Sequence, residues 1–288
     1  RREALAERGR RVFTERFDDV AVAPLFGKAL STVVSGTNEL PPLTVMARLR
    51  QPFIDRALRR VAPRSILEVG AGQGATGARL ARYGSYVGVE PDLASAAVAA
   101  SRLAHVDGAQ FRMGGIERVG ADEVFDLLCA FEVIEHIDDD LGALREWVRH
   151  LSDDGHVLIS VPAHMRRFGA SDAAVGHFRR YDAIDLDRLF DSLGFEIVER
   201  RAYGAIGGHV LESVRNAIIA RRGGNVDASA NVEEKTAGSG RLFQPKSKMA
   251  GAVTAVVAAP MLLAQSPFSS GQFGVGWVVL ARRKRGTV

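Results

Sequence analysis

Short apolar runs alternate with helical stretches from residue 65 onward, and this alternation dominates the hydrophobic pattern of the chain. The apolar runs predict strands at residues 65–69, 86–90, 110–113, 124–131, 156–161, 195–201 and 275–281. The stretches between them predict helices at residues 75–83, 92–103, 140–151 and 183–193. Such alternation is typical of a parallel sheet covered by helices. We therefore predict an α/β fold with a doubly wound, mostly parallel sheet of seven strands.

The regions on either side of this pattern predict additions to one core domain. Residues 1–60 carry apolar positions at three- and four-residue steps and are interpreted as an N-terminal helical lid. The core is assigned to residues 61–204, and residues 275–288 supply its last strand and a basic tail. Residues 205–274 are interpreted as an insertion of two apolar helices around a flexible polar loop, which either recognises a substrate or has no role in binding.

Composition and charge favour an ordinary folded protein. The apolar fraction is 47%, the charged fraction is 25%, and the net charge of +4 comes largely from the two ends of the chain. Basic tails without a basic stripe in the body of the domain do not favour a nucleic-acid partner. The single cysteine, Cys129, cannot form an internal disulfide and fits a cytoplasmic location. Residues 249–265 are too short for a spanning helix, although peripheral membrane contact remains an alternative.

A glycine-rich turn follows the first predicted strand and carries the first sign of function. Residues 66–77 read ILEVGAGQGATG, in which a buried strand leads into glycines that allow a ligand close to the backbone. Read from Gly72, the same letters match the dinucleotide fingerprint, and Glu90 lies near the distance of a ribose-binding acid. Glu68 favours a different ligand, because its charge suits the ammonium and sulfonium of S-adenosylmethionine and would be badly placed beside a pyrophosphate.

Five segments in order then resemble a known family. These segments, running from about Ser65 to Arg201, are ILEVGAGQGATGARLA, YVGVEPD, FDLLCAFEVIEHIDDD, GHVLISVPAH and GHFRRYDAIDLDRLFDSLGFEIVE. Together they resemble class I S-adenosylmethionine-dependent methyltransferases, nearest to the ubiquinone-pathway O-methyltransferase type. The final predicted strand, GWVVLARR, is consistent with this resemblance. A doubly wound domain that binds another ligand is the alternative.

The resemblance implies a cofactor site for S-adenosylmethionine. It places the glycine turn around the amino-acid part of the cofactor, Glu90 at the ribose hydroxyls, and Glu68 where it orders the turn. Many relatives carry an acid after the third strand for the adenine amino group, but Gly114-Gly115-Ile116 stands there in this chain. The residues expected to contact or order the cofactor are Glu68, Gly70, Ala71, Gly72, Gly74, Glu90, Pro91, Gly115, Ile116, Ala130 and Phe131.

The segment after the fourth predicted strand suggests where the chemistry occurs. Glu132, Glu135 and His136 share one face if a helix begins there. By resemblance to small-RNA 2′-O-methyltransferases and some ubiquinone-pathway enzymes, these residues and His177 hold a divalent cation, either Mg²⁺ or Mn²⁺. In the metal-free alternative, His136 or His177 is the general base.

Other polar residues are weaker candidates for the same site. His164 follows the fifth predicted strand and is interpreted as a solvated loop histidine. Arg179, Arg180 and Tyr181 either hold an anionic or sugar-like acceptor or take part in ion pairs with nearby Asp182 or Asp185.

The expected activity is O-methylation of a hydroxyl on a small molecule, a glycan or a lipid-linked acceptor. Methyl transfer requires an aligned nucleophile and exclusion of water, and a hydroxyl acceptor also requires a base or a metal. Carbon or nitrogen methylation is an alternative that needs no metal. A non-catalytic cofactor-binding or membrane-surface module is the alternative from another class, and methylation of nucleic acid is disfavoured by the modest charge.

Overall fold

A computed structural model describes residues 40–205, 207–221, 247–265, 269 and 271–285 of the 288-residue chain. Its centre is one seven-stranded sheet with the strand order β3-β2-β1-β4-β5-β7-β6. The strands are β1 Ser65–Val69, β2 Ser85–Glu90, β3 Ala109–Met113, β4 Phe125–Phe131, β5 Leu151–Pro162, β6 Phe195–Tyr203 and β7 Gly276–Arg283. Strand β7 is antiparallel to β5 and to β6, and the remaining pairs are parallel. The predicted fold class is confirmed.

Helices cover the two faces of this sheet. They are α1 Val45–Val61, α2 Gly77–Leu80, α3 Leu93–Leu103, α4 Asp140–Trp147, α5 Ala170–Ala174, α6 Ala183–Ser192, α7 Gly207–Arg221 and α8 Lys248–Gln265. Helix α2 is shorter than the predicted 75–83. It begins at Gly77, after the glycine turn, and a turn replaces the helix at residues 81–83. Helix α4 ends before the predicted residue 151, and β5 begins at Leu151, where it pairs with Phe125 across an irregularity in β4.

Alternating residues of the strands divide the core into two layers, as the pleat of a sheet requires. Leu67 and Leu128 belong to the apolar cluster on one face, which α4 and α6 cover. Ile66 and Leu127 belong to the cluster on the other face, which α1 covers. The pattern explains why the central strands are apolar along their whole length.

The insertion before β7 is anchored to the core at two places. Helix α8 packs on α1, where Arg48 donates to the Gly251 carbonyl and to Thr254 Oγ1 at 3.0 and 3.1 Å, and Gln265 Nε2 donates to the Leu49 carbonyl at 2.9 Å. Helix α7 contacts α5. The predicted flexible loop between them and most of the predicted N-terminal lid lie outside the described residues. None of the helices in the described ranges has the length and apolar character that crossing a bilayer demands.

The carboxyl ends of the parallel strands meet at one edge of the sheet. The glycine turn follows β1, Glu90 ends β2, Gly114 follows β3, and the segment from Glu132 to His136 follows β4. The strand order reverses beside β1, and ligands of doubly wound sheets bind outside the strand ends at this point. The fold therefore brings the sequence motifs to one edge.

Candidate active site

The glycine turn has the backbone geometry that only glycine adopts without strain. Gly70, Gly72 and Gly74 have φ angles of 74°, 52° and 73°. A Cβ atom on Gly70 would lie 2.6 Å from Cγ2 of Val133, in the segment after β4. The amides of Gly70 and Ala71 both donate to the Val89 carbonyl at 3.0 Å. The turn is thus closed against β2 and leaves no space for a side chain at Gly70.

Glu90 connects this turn to the start of α3. One carboxylate oxygen accepts from the Gly72 amide at 2.8 Å, and the other accepts from the Asp92 amide at 2.9 Å. Burial raises the pKa of Glu90, although these two amide hydrogen bonds oppose the effect. Pro91 is exposed between Glu90 and the capping residue Asp92. The geometry places the predicted ribose-binding acid beside the glycine turn.

Glu68 lies beneath the turn and is bound by a residue that the sequence analysis did not identify. Its carboxylate accepts a 2.5 Å hydrogen bond from the Tyr86 hydroxyl in β2. Gly77 and Gly88 make room for this tyrosine, since a Cβ atom on either would lie 2.3 Å from its oxygen. Burial raises the pKa of Glu68 to about 7, even though the Tyr86 hydrogen bond and the charge of Arg50 lower it. Glu68 is therefore poised between its neutral and charged forms near neutral pH.

The edge predicted to hold adenine has an acid that the sequence analysis overlooked. The Gly115 amide donates to Glu117 Oε1 at 2.8 Å, and the Gly114 amide donates to the Glu90 carbonyl at 2.9 Å. Ile116 is buried, whereas Glu117 is exposed. Glu117 lies within the 3₁₀ turn of residues 116–118 that follows Gly115.

Arg50, also not predicted, reaches the site from α1. Its guanidinium carbon lies 6.0 Å from the centre of the Phe131 ring, and Nη1 lies 3.6 Å from Glu132 Oε1. Phe131 and Ala130 are the last residues of β4 and are buried. An arginine in this position suits a carboxylate group of a ligand above β4. The only hint of Arg50 in the sequence was its position next to Leu49, an apolar residue of the predicted amphipathic helix.

The helical face predicted for Glu132, Glu135 and His136 does not form. Residues 134–136 make one 3₁₀ turn, and Glu132 precedes it with a left-handed φ of 59°. Oε1 of Glu132 accepts from Ser160 Oγ at 2.8 Å and from the Tyr203 hydroxyl at 3.0 Å. Glu132 is therefore bound by Ser160 and Tyr203, and it is not among the described residues whose ligand atoms converge.

The remaining three predicted ligands do converge. Glu135, His136 and His177 each offer one ligand atom, and these atoms lie within 4.8 Å of one another. The two imidazole rings are 4.5 Å apart at an interplanar angle of 79°. Both Glu135 oxygens and His136 Nδ1 are buried, and none has a hydrogen-bond partner among the described residues. These three side chains form a candidate cation site, because their ligand atoms converge and the Glu135 oxygens have no hydrogen-bond partner among the described residues.

Burial controls the charge of this group. It raises the pKa of Glu135 well above its ordinary value, and the nearby charge of Glu132 acts in the same direction. Burial and the neighbouring His177 lower the pKa of His136 to about 3. At neutral pH, His136 is thus a neutral imidazole, which is the form that binds a metal.

A buried aspartate fixes the orientation of His177. Nδ1 of His177 lies 2.9 Å from Asp172 Oδ1, so the other ring nitrogen, Nε2, faces Glu135, with 3.9 Å between Nε2 and Glu135 Oε1. Asp172 also accepts from Arg180 and from the Gly169 amide. Burial alone would raise the pKa of Asp172, but the hydrogen bonds from His177 and Arg180 outweigh it and lower the pKa to about 2.

The other residues proposed near this site have structural partners. Arg179 pairs with Asp138 and Asp140 rather than with Asp182 or Asp185. Arg180 pairs with Asp172 and Glu212, and the Tyr181 hydroxyl donates to Asp140 at 2.7 Å. His164 is buried instead of solvated: Nε2 lies 2.7 Å from the Gln272 carbonyl, and its ring packs edge-on against Trp277.

The sheet order and the glycine turn define a class I S-adenosylmethionine-dependent methyltransferase, and comparisons with known proteins agree. The chain belongs to a family described as a methyltransferase domain, whose model matches residues 45–200. It is 28% identical over 183 residues to a Mycolicibacterium smegmatis protein named "Probable S-adenosylmethionine-dependent methyltransferase", an alignment covering 62% of this chain and 68% of that one. It is 30% identical over 141 residues to the ubiquinone biosynthesis O-methyltransferase of Alkalilimnicola ehrlichii, covering 47% of this chain and about half (56%) of that relative.

Solved structures share the fold at low sequence identity. The YcgJ protein of Bacillus subtilis superposes with a TM-score of 0.51 at 16% identity, covering 82% of this chain and 100% of that one. YjhP of Escherichia coli superposes with a TM-score of 0.50 at 18% identity, covering 90% and 100%. The protein is thus a methyltransferase that uses S-adenosylmethionine, with the fold of that class.

Proposed function

We propose that this enzyme methylates a hydroxyl oxygen with the help of a divalent cation held by Glu135, His136 and His177. The observation that carries the proposal is the convergence of these three side chains with buried donor atoms that lack hydrogen-bond partners. The name of the Alkalilimnicola relative, an O-methyltransferase, supports the same reaction. Glu132, first grouped with these ligands, is assigned instead to hold Arg50 and the end of β4 in place.

The cofactor lies across the carboxyl edge of β1, β2 and β4 in this proposal. Glu90 accepts hydrogen bonds from the ribose hydroxyls, and the glycine turn cradles the amino-acid part. Arg50 binds the cofactor carboxylate, for which a guanidinium is the matching donor. Glu68 stabilises the positive charge of the ammonium and sulfonium from below the turn, since its pKa of about 7 lets a nearby cation favour the charged carboxylate.

The reaction itself needs little from the protein beyond alignment. The acceptor oxygen forms a bond to the methyl carbon as the carbon–sulfur bond breaks, and the electron pair of that bond remains on sulfur. A bound Mg²⁺ or Mn²⁺ would polarise the acceptor hydroxyl and favour loss of its proton to water. His136 is neutral, because burial lowers its pKa to about 3, and one of its ring nitrogens converges with Glu135 and His177, whereas His177 is oriented by Asp172.

We infer that the acceptor is a small molecule, a glycan or a lipid-linked compound. Large apolar side chains are exposed near this edge of the sheet, among them Met165 after β5, Phe178 beside Glu135, and Phe273 before β7. They offer a surface to an acceptor with an apolar part. We place the enzyme in the cytoplasm, where peripheral contact with a membrane would serve a lipid-linked acceptor.

Calorimetry with S-adenosylmethionine and with NAD first tests the cofactor assignment, and only the former should bind. A panel of catechol, sugar and amine acceptors is then assayed with and without a chelator, for the wild type and for Glu135→Gln. Glu196→Gln, which removes a carboxylate from the exposed side of β6, is the control. We expect hydroxyl methylation to be lost in chelator and in Glu135→Gln. Hydroxyl methylation that persists in both would refute the cation, and transfer only to the amine or to a ring carbon of the catechol would refute O-methylation.

A further inference from the structure

Two polar residues of α7 face the helix that carries Asp172. Glu212 and Asn216 lie four positions apart and therefore on the same side of α7. Asn216 Oδ1 accepts from the Ser171 amide at the start of α5 at 3.0 Å. Glu212 is buried, although glutamate is rarely buried without partners. The insertion thus presents a carboxylate to the interior, close to the candidate cation site.

The partners of Glu212 connect it to the imidazole of His177. Its Oε1 pairs with Arg180 Nη2, and its Oε2 accepts from Arg167. Arg180 in turn donates to both oxygens of Asp172, from Nε at 3.0 Å and from Nη2 at 2.8 Å. Asp172 Oδ1 lies 2.9 Å from His177 Nδ1. A continuous chain of charged side chains therefore runs from the insertion to the ring that faces Glu135.

We propose that Glu212 is a positioning residue, which holds Arg180 so that Asp172 orients His177 toward Glu135 and His136. The inference rests on the proposed role of His177 and deepens it, because it gives the insertion a part in the site. Arg180 and Asp172 are both almost fully buried, so their geometry is set by protein partners alone. Without Glu212, the Arg180 guanidinium loses one of its two buried carboxylates and is held only by Asp172 and a 3.5 Å contact to the Ala163 carbonyl, so its orientation is less fixed.

Arg167 provides the matched control. It pairs with the same carboxylate of Glu212 but has no hydrogen bond or ion pair with Asp172 in the described part of the chain. If Glu212 only anchors α7, removal of Arg167 and removal of Glu212 should have comparable effects on the site. If Glu212 acts through Arg180, only the removal of Glu212 disturbs His177.

The test observes the His177 ring in metal-free protein labelled with ¹⁵N at histidine, and His177→Gln assigns its signals. In the wild type we expect a single tautomer protonated at Nδ1, because Asp172 accepts from that nitrogen. Glu212→Ala and the isosteric Glu212→Gln should give mixed or broadened ring signals, whereas Arg167→Ala should match the wild type. Melting curves show which variants are folded. If Glu212→Ala is not folded, the comparison is made with Glu212→Gln.

Calorimetry with Mn²⁺ and with S-adenosylmethionine completes the experiment. We expect the Glu212 variants to bind Mn²⁺ on the order of tenfold more weakly, the lower end of the effect of outer-shell partners, and to bind the cofactor as the wild type does. His177 signals that are unchanged in both Glu212 variants, or equally disturbed in Arg167→Ala, would overturn the inference. A wild-type protein that does not bind S-adenosylmethionine would instead count against the proposed function, whatever the His177 signals show.

Discussion

Replacing Glu68 by glutamine should stabilise the ligand-free protein above neutral pH and weaken its binding of S-adenosylmethionine. Glu68 is buried beneath the glycine turn, and burial raises its pKa from 4.5 to about 7. An acid whose pKa is higher in the folded state binds its proton more tightly there. Its contribution to stability is therefore complete below pH 4.5 and is lost as the pH rises through 7.

The size of this effect follows from the two pKa values. The difference between a pKa of 7 in the folded state and 4.5 in the unfolded state corresponds to about 3 kcal/mol of unfolding free energy, since each unit of pKa difference is worth roughly 1.4 kcal/mol. Glutamine has the same shape and can still accept the Tyr86 hydrogen bond, but it cannot ionise. The unfolding free energy of Glu68→Gln relative to wild type should thus rise by about 3 kcal/mol between pH 4.5 and pH 8.

Urea denaturation of both proteins across this pH range measures the difference, with Glu196→Gln as a surface control. Asp172 does not interfere, because its pKa is lowered to about 2 and it therefore acts below the tested window. Calorimetry at pH 8 should show cofactor binding weakened about tenfold, equivalent to ~1.4 kcal/mol for one lost charge. A stability difference that is constant with pH would show that Glu68 is ionised normally and would refute the argument.

Three further variants test the remaining contacts. Gly70→Ala should abolish cofactor binding and destabilise the fold by about 1–2 kcal/mol, because a Cβ at this position meets Val133 and the φ angle is positive. Gly72→Ala should destabilise the fold less, because nothing lies within 4 Å of a Cβ there. Equal melting temperatures for the two variants would contradict this expectation. Arg50→Ala should raise the Kd for S-adenosylmethionine about tenfold but leave that for its decarboxylated analogue unchanged; equal losses for both would exclude a carboxylate contact. Asp172→Asn should lower the melting temperature and weaken Mn²⁺ binding 10- to 100-fold, and unchanged Mn²⁺ calorimetry would exclude its role.

The positions of the strands along the chain could be predicted because each strand signal is local. An apolar run between turns marks a buried strand without knowledge of its partners, and the helices between runs imply parallel pairing. The start of β5 was the exception: residue 151 was assigned to the preceding helix, and the partly polar residues 152–155 were assigned to neither element. The pairing of Leu151 with Phe125 is a tertiary contact, which hydrophobic periodicity does not record.

The site was predictable where one segment determines the geometry, as in the glycine turn, or where the family resemblance joined two segments, as for Glu135, His136 and His177. The glycine turn and Glu90 are positioned by their own strands, and both lie where the motif places them. Tyr86, Arg50 and Glu212 were missed because each reaches the site from another element. The helix expected at Glu132 failed for a local reason: Glu132 adopts a left-handed conformation and residues 134–136 form a tighter turn, a choice that spacing alone does not distinguish.

Two fully buried carboxylates near His177 differ in how the protein accommodates them. Asp172 is 0% exposed and has hydrogen bonds from Gly169, His177 and Arg180, which together keep it charged. Glu135 is also 0% exposed, yet neither of its oxygens has a hydrogen-bond partner among the described residues. Leaving a buried carboxyl group unsatisfied costs several kcal/mol even when it is protonated. The same region supplies every partner that Asp172 needs, so the open oxygens of Glu135 and the two adjacent imidazoles are the observations on which the proposed cation rests.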